Sequence, residues 1–166
     1  YAEMSYARAM ASIREERFKE EIVPVQIPQR KGDPKIFDTD ECPRDTSYEA
    51  LAKMGAAFQK GGVTTAGNAS VISDGAAAVV VMSRQKAEQL GCTILASIGA
   101  QCAYGIDMKY VLVAPIYAVP KCLAKEGITI DQVDLFEINE AFSGSTCAVI
   151  QELKLDVNKT NVNGGS

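Results

Sequence analysis

Histidine is missing from the sequence altogether, as is tryptophan. Histidine is the side chain that most often moves protons near neutral pH, so any step that needs an imidazole must borrow one. The five cysteines, Cys42, Cys92, Cys102, Cys122 and Cys147, are odd in number and include no C-x-x-C pair. A disulfide framework or a zinc site is therefore not expected, no metal is assigned, and buried packing is the default reading for all five. Free thiols fit a reducing, intracellular compartment, with cytosol, mitochondrion and peroxisome left open. Apolar runs stay well short of the roughly 20 residues that cross a bilayer. The opening "YAEMSYARAM" has neither the basic nor the apolar region of a leader, so the chain reads as neither membrane-spanning nor secretory. Cations are the minority: 17 Lys and Arg against 21 Asp and Glu leave a net charge of -4. No global field draws nucleic acid or an anionic membrane, and an anionic ligand must be held by local cations or backbone amides. Neither G-x-G-x-x-G nor a Walker pattern occurs, so a nucleotide loop is not supported.

What is there suits a globular protein. The chain has 166 residues, 47% of them hydrophobic and 23% charged, enough for one domain with a core or for pieces of two. It starts at Tyr1 rather than at methionine, which suggests processing, cleavage or a shortened chain.

Apolar Tyr6, Met10 and Ile13 recur at helical spacing, which predicts a helix over 1–18. In "EIVPVQIP" the alternation of Val23, Val25 and Ile27 predicts a strand, placed at an edge because Pro24 and Pro28 cannot donate to a ladder. "QRKGDPKIFDTDECPR", 29–44, reads as an exposed loop. Thr46 with Glu49 fits a capping box for a helix over 47–58. "AAAVVVM" and "TILASIGAQCA" read as buried strands, separated by a helix that Ser83 caps and Gly91 stops. "APIYAVPKCLAKEG" reads as a helix with Pro115 in its first turn and Gly127 at its end, while interior Pro120 implies a later start or a kink. "QVDLFEI" is a third strand, 140–153 a helix, and "TNVNGG" a strand or turn. This alternation predicts an α/β layer structure with mainly parallel pairing.

Two stretches carry candidate chemistry. In "DLFEINEAF" a strand delivers Asn139 to its carboxyl end, where the next helix aims its unpaired amides and positive dipole end. Open α/β sheets bind ligands at such crevices, although the same asparagine also suits an ordinary N-cap. In "TAGNASVISDGAAA" the small residues let backbone approach a ligand closely, or serve only turning and packing. Arg44 could hold a phosphate in bidentate fashion, or be a solvated surface arginine.

Three strings in order, "GGVTTAGNASVISDGAAAVVVMS", "VDLFEINEAFS" and "NKTNVNGGS", resemble the thiolases, and among them the acetyl-CoA acetyltransferases. The flanking "RFKEEIVPV" and "LAKMGAAF" agree, so the resemblance covers nearly the entire chain. It implies a partial thiolase fold, an α-β-α-β-α core plus part of a loop domain that covers coenzyme A. Residues 1–71 would end the loop domain, 72–93 supply the last strand and helix of the N-terminal half, and 94–166 open the C-terminal half. The implied reaction interconverts two acetyl-CoA and acetoacetyl-CoA plus CoA, with coenzyme A as substrate and no separate cofactor. Asn139 matches the asparagine that orients a water in an oxyanion hole. Ser70 matches a pantetheine-contacting serine, Ala69 and Phe58 line the same channel, and Ala141 and Phe142 are assigned to the substrate site. Arg44 and Tyr6 match positions at the nucleotide end of CoA. The family's nucleophilic cysteine, its G-H-P histidine and its C-x-G cysteine match nothing in this sequence, so the chain alone is expected to be inactive. A homodimer or homotetramer is the implied assembly. Two rival readings are a non-catalytic CoA-binding or thiolase-partner module, and a partly ordered fragment whose buried strands lack cover.

Overall fold

A computed structural model describes residues 1–165; Ser166, the last residue of the "NKTNVNGGS" string, lies outside them. Helix α1 spans Ala2–Arg14, shorter than the predicted run to Phe18 because Glu16 takes a left-handed φ of 52°. Its buried positions are Ser5 and Ser12, so α1 packs by a small polar face and leaves Tyr6, Met10 and Ile13 only half-buried.

Strand β1, Val25–Ile27, lies at an edge as its flanking prolines require. Its partner is a correction: β2, Lys35–Phe37, falls inside the expected loop and pairs antiparallel, Val25 with Phe37 and Ile27 with Lys35. Gly32 reverses the chain between them at a φ of 84° that disfavours a side chain. Helix α2 is only Tyr48–Ala52, and its cap is Ser47 rather than Thr46, with the Ser47 hydroxyl accepting the Ala50 N–H at 3.3 Å. The expected run to Phe58 is replaced by a turn closed by the Ala56–Thr65 bridge and the Ala57 N–H to Thr64 carbonyl bond, at 2.8 Å.

Helix α3, Arg84–Leu90, has the predicted signals: the Ser83 hydroxyl accepts the Lys86 N–H, and Gly91 closes the helix at φ 67°. Helix α4, Pro115–Glu126, starts at Pro115, ends at left-handed Gly127 and keeps Pro120 inside. The later start envisaged for it does not occur. Helix α5 is Ser143–Leu153, with Phe142 at its N-cap instead of a start at Glu140.

The strand expectations over 76–82 and 93–103 are not met. Among the described residues these runs join no ladder, and Val79, Val80 and Leu95 are exposed. A buried strand exists through its neighbours, and neither run has one here. "QVDLFEI" retains a single parallel bridge, Phe136 to Thr160, so the predicted parallel pairing shrinks to that contact. The packed core lies beneath it. Phe136, Val149 and Leu155 are buried, and Ile116, Val119, Val133 and Ile138 pack around them, joining α4 and α5 to the 130s segment.

Candidate functional site

Asn161, fully buried, lies opposite the strand-like 136–138 segment, in a left-handed conformation (φ 48°) that asparagine tolerates better than most residues. Its backbone N–H donates to the Phe136 carbonyl at 2.9 Å. The ladder then ends, and the side chain carries on: Oδ1 accepts the Ile138 N–H at 2.7 Å, and Nδ2 donates to the Ile138 carbonyl at 2.7 Å. A side-chain amide thus stands in for the next residue of a neighbouring strand.

Glu140, two positions on, is buried, and its carboxyl accepts from the Tyr1 hydroxyl at 2.8 Å, the Ser5 hydroxyl at 2.7 Å and Asn161 Nδ2 at 2.6 Å. Burial of the Tyr1 phenol, then its bond to and proximity with Glu140, push its pKa well above the ordinary 10.0. The turn above this cluster has no room for side chains. A Cβ at Gly165 would overlap the Glu140 carboxyl, and one at Gly164 would lie 2.7 Å from the Ala9 nitrogen. The Gly165 N–H donates to Ser5 Oγ at 3.0 Å, and Arg8 from α1 donates to the carbonyls of Val157, Thr160 and Asn161.

Asn139 lies between the clamped Ile138 and Glu140. It is exposed, and its side chain bonds to no described residue. It borders two clefts, one closed by Gly164 and Gly165, the other by Ala114 and one face of α4 carrying Pro115, Val119 and Cys122. Because α5 begins only after Phe142, Asn139 is no N-cap, and the ordinary reading of that residue falls away.

The "GNAS" stretch is brought to the same place. Ala69 and Phe142 form an antiparallel bridge, the Ser70 N–H donates to the Ala141 carbonyl at 3.0 Å, and the Ser143 N–H to the Asn68 carbonyl at 2.9 Å. The Phe58 ring meets Phe142 edge to face, centroids 6.0 Å apart. Six sequence-predicted residues, Asn139, Ala141, Phe142, Ala69, Ser70 and Phe58, therefore share one locale. Arg44 and Tyr6 form a separate pair, the guanidinium 5.4 Å from the ring centroid. No hydrogen bond or bridge joins that pair to the other six among the described residues. None of the five cysteines is buried, which corrects the packing expectation; Cys102 and Cys122 are half-buried and the others exposed. No cluster of residues suited to a metal ion occurs among the described residues.

The sequence reading missed Asn161, Ser5 and Tyr1. A signal for the α1 residues exists: Ser5, Arg8 and Ser12 repeat at helical spacing, marking a polar face opposite the apolar positions.

Two family models match the chain, the thiolase N-terminal domain over residues 1–85 and the thiolase C-terminal domain over 92–166. The chain belongs to the thiolase family. It is 48% identical to an acetyl-CoA acetyltransferase of Pseudomonas aeruginosa over 100% of its own length and 42% of that protein. Among solved structures, the Bacillus anthracis acetyl-CoA acetyltransferase superposes with a TM-score of 0.95 at 41% identity, covering 99% of this chain and 42% of that one. The dimeric peroxisomal thiolase of Saccharomyces cerevisiae gives 0.92 at 40% identity, covering 99% of this chain and 41% of that one. The described residues thus adopt part of the layered α/β thiolase fold, and the chain spans about 42% of the length of the curated relatives it matches.

Proposed function

We propose that this chain is a segment of an acetyl-CoA acetyltransferase, which interconverts two acetyl-CoA and acetoacetyl-CoA plus CoA by Claisen condensation and thiolysis. The observation that carries this is the position of Asn139: an amide bonded to no described residue at the meeting of two clefts, beside the bridge that joins the "GNAS" and "NEAF" stretches. A thioester carbonyl gains negative charge in the transition state, and a donor fixed where that charge develops stabilises it by a few kcal/mol. Asn139 supplies such a donor, directly or by orienting a water. Ser70, Ala69, Phe58, Ala141 and Phe142 form the wall along which a pantetheine arm runs, offering backbone polar groups between apolar surfaces. Arg44, its face against Tyr6, keeps guanidinium N–H groups available for a phosphate at the nucleotide end.

Residues 1–71 would belong to a loop domain over CoA, 72–93 to the end of one thiolase half and 94–166 to the opening of the other. The sequence holds no histidine and none of its cysteines stands in a thiolase cysteine motif, so thiolysis needs groups beyond these residues. Coenzyme A serves as substrate, with no separate cofactor. Assembly as a homodimer or homotetramer in a reducing compartment accords with the dimeric yeast relative and the free thiols. No described helix is long and apolar enough to cross a membrane.

The test is a chimera in which these residues replace the matching segment of the Pseudomonas aeruginosa relative. The folded chimera should thiolyse acetoacetyl-CoA, and Asn139→Ala should lower kcat by about 10²–10³-fold. The isolated chain should give no turnover. Thiolysis by the isolated chain, or a folded chimera indifferent to Asn139→Ala, would overturn the reading.

A further inference from the structure

No described residue holds the Asn139 side chain directly, so among these residues its aim depends on the backbone either side of it. On one side both backbone groups of Ile138 are taken by the Asn161 amide. On the other, the Glu140 carboxyl is anchored by three donors, two of them, Tyr1 and Ser5, from the start of the chain. Side chains alternate along an extended segment, so turning Ile138 and Glu140 inward turns Asn139 outward. Their burial follows that order: half-buried, exposed, buried.

A buried carboxyl without a bonded cation is a costly way to hold a fold together, and an apolar residue of similar size would serve packing better. Glu140 makes no salt bridge among the described residues, and its bonds all come from neutral donors that fix its orientation. Gly165 leaves space for the carboxyl and bonds Ser5, so the second glycine of "NVNGG" completes the same cluster.

We propose that Glu140 is a positioning residue for Asn139, and that Tyr1, which precedes α1, and Ser5 within it act through Glu140 to set the polarising power of the site. This rests on the reading of Asn139 as the group that polarises the thioester carbonyl. Small displacements of such a donor are expensive, because a shift of about 1 Å can cost about 10²-fold in rate. The cluster therefore governs kcat, while the CoA-contacting wall around Ser70 governs KM.

The experiment uses the active chimera with Ser5→Ala, Tyr1→Phe and Glu140→Gln, each made with Asn139 present and again with Asn139→Ala. With Asn139 present, Glu140→Gln should lower kcat by about 10–10²-fold and Ser5→Ala by several-fold, with KM for CoA unchanged. In the Asn139→Ala background the same changes should have no further effect, because they act through a group already removed. Equal losses in both backgrounds, or losses that track only a fall in folded fraction by circular dichroism, would overturn the positioning role. Should Glu140→Gln fail to fold, Tyr1→Phe removes one donor and decides by the same comparison. Asn139→Ala that leaves kcat unchanged would instead overturn the polarising role on which the proposal depends.

Discussion

At the scale of single residues, the Tyr1 phenol reports on the cluster most directly. Its pKa is raised, first by burial and then by Glu140, so the folded state holds the phenolic proton more tightly than the unfolded state does. The associated stability is fully present below the ordinary value of 10.0 and is lost as pH rises from there through the folded value. Urea unfolding of the chimera at about pH 9 and about pH 11 should show a loss between the two that Tyr1→Phe reduces. Equal losses with and without the phenol would mean that Tyr1 is not held in this way. Asn139 was singled out as a candidate by the "NEAF" string, and it lies exposed at the border of two clefts. Asn161 was not singled out, because its role is to pair with Ile138, a partner 23 residues away in sequence.

At the scale of elements, some helix stops and starts were written locally, whereas the cap and end of α2 and the start of α5 fell elsewhere than expected. Ser83, Gly91, Pro115 and Gly127 occupy the positions their chemistry predicts, since a cap involves only neighbours in sequence. Helix α5 shows what packing adds. Val149 lies fully buried in the core, and deleting its methyl groups removes about 0.8 kcal/mol per carbon and leaves a cavity, so Val149→Ala should destabilise by about 2 kcal/mol. On the same helix the buried Thr146 hydroxyl has no hydrogen-bond partner among the described residues. Thr146→Val, of the same shape, should therefore be neutral or stabilising by about 1 kcal/mol. Thermal unfolding of the two chimera variants checks both, with a fall in Tm expected for Val149→Ala and none for Thr146→Val.

At the scale of the whole molecule, the exposed apolar runs dominate. Val79, Val80 and Leu95 lie open, within stretches whose composition suits strands covered on both faces, and Ile72 nearby is open too. An isolated chain with such surface should bind a dye specific for exposed apolar groups and self-associate, whereas the chimera should bind far less. A monodisperse, dye-silent isolated chain in sedimentation would show that these runs find cover within the chain itself. The same comparison separates a segment that needs its larger fold from one that stands alone.

The sequence by itself determined the family and four helix signals, and it marked Asn139 as a candidate, because each is encoded by short strings or by neighbours a few residues apart. Whether the apolar runs pair was not encoded locally, because a ladder is a property of two segments brought together, and 76–82 and 93–103 join none among the described residues. Tertiary structure decided three further things. It joined "GNAS" to "NEAF" through the Ala69–Phe142 bridge, took Asn139 out of the N-cap role by starting α5 at Ser143, and turned the polar face of α1 onto Glu140. Each depends on contacts between residues far apart in sequence, whose formation rests on loop closure and burial rather than on local preference.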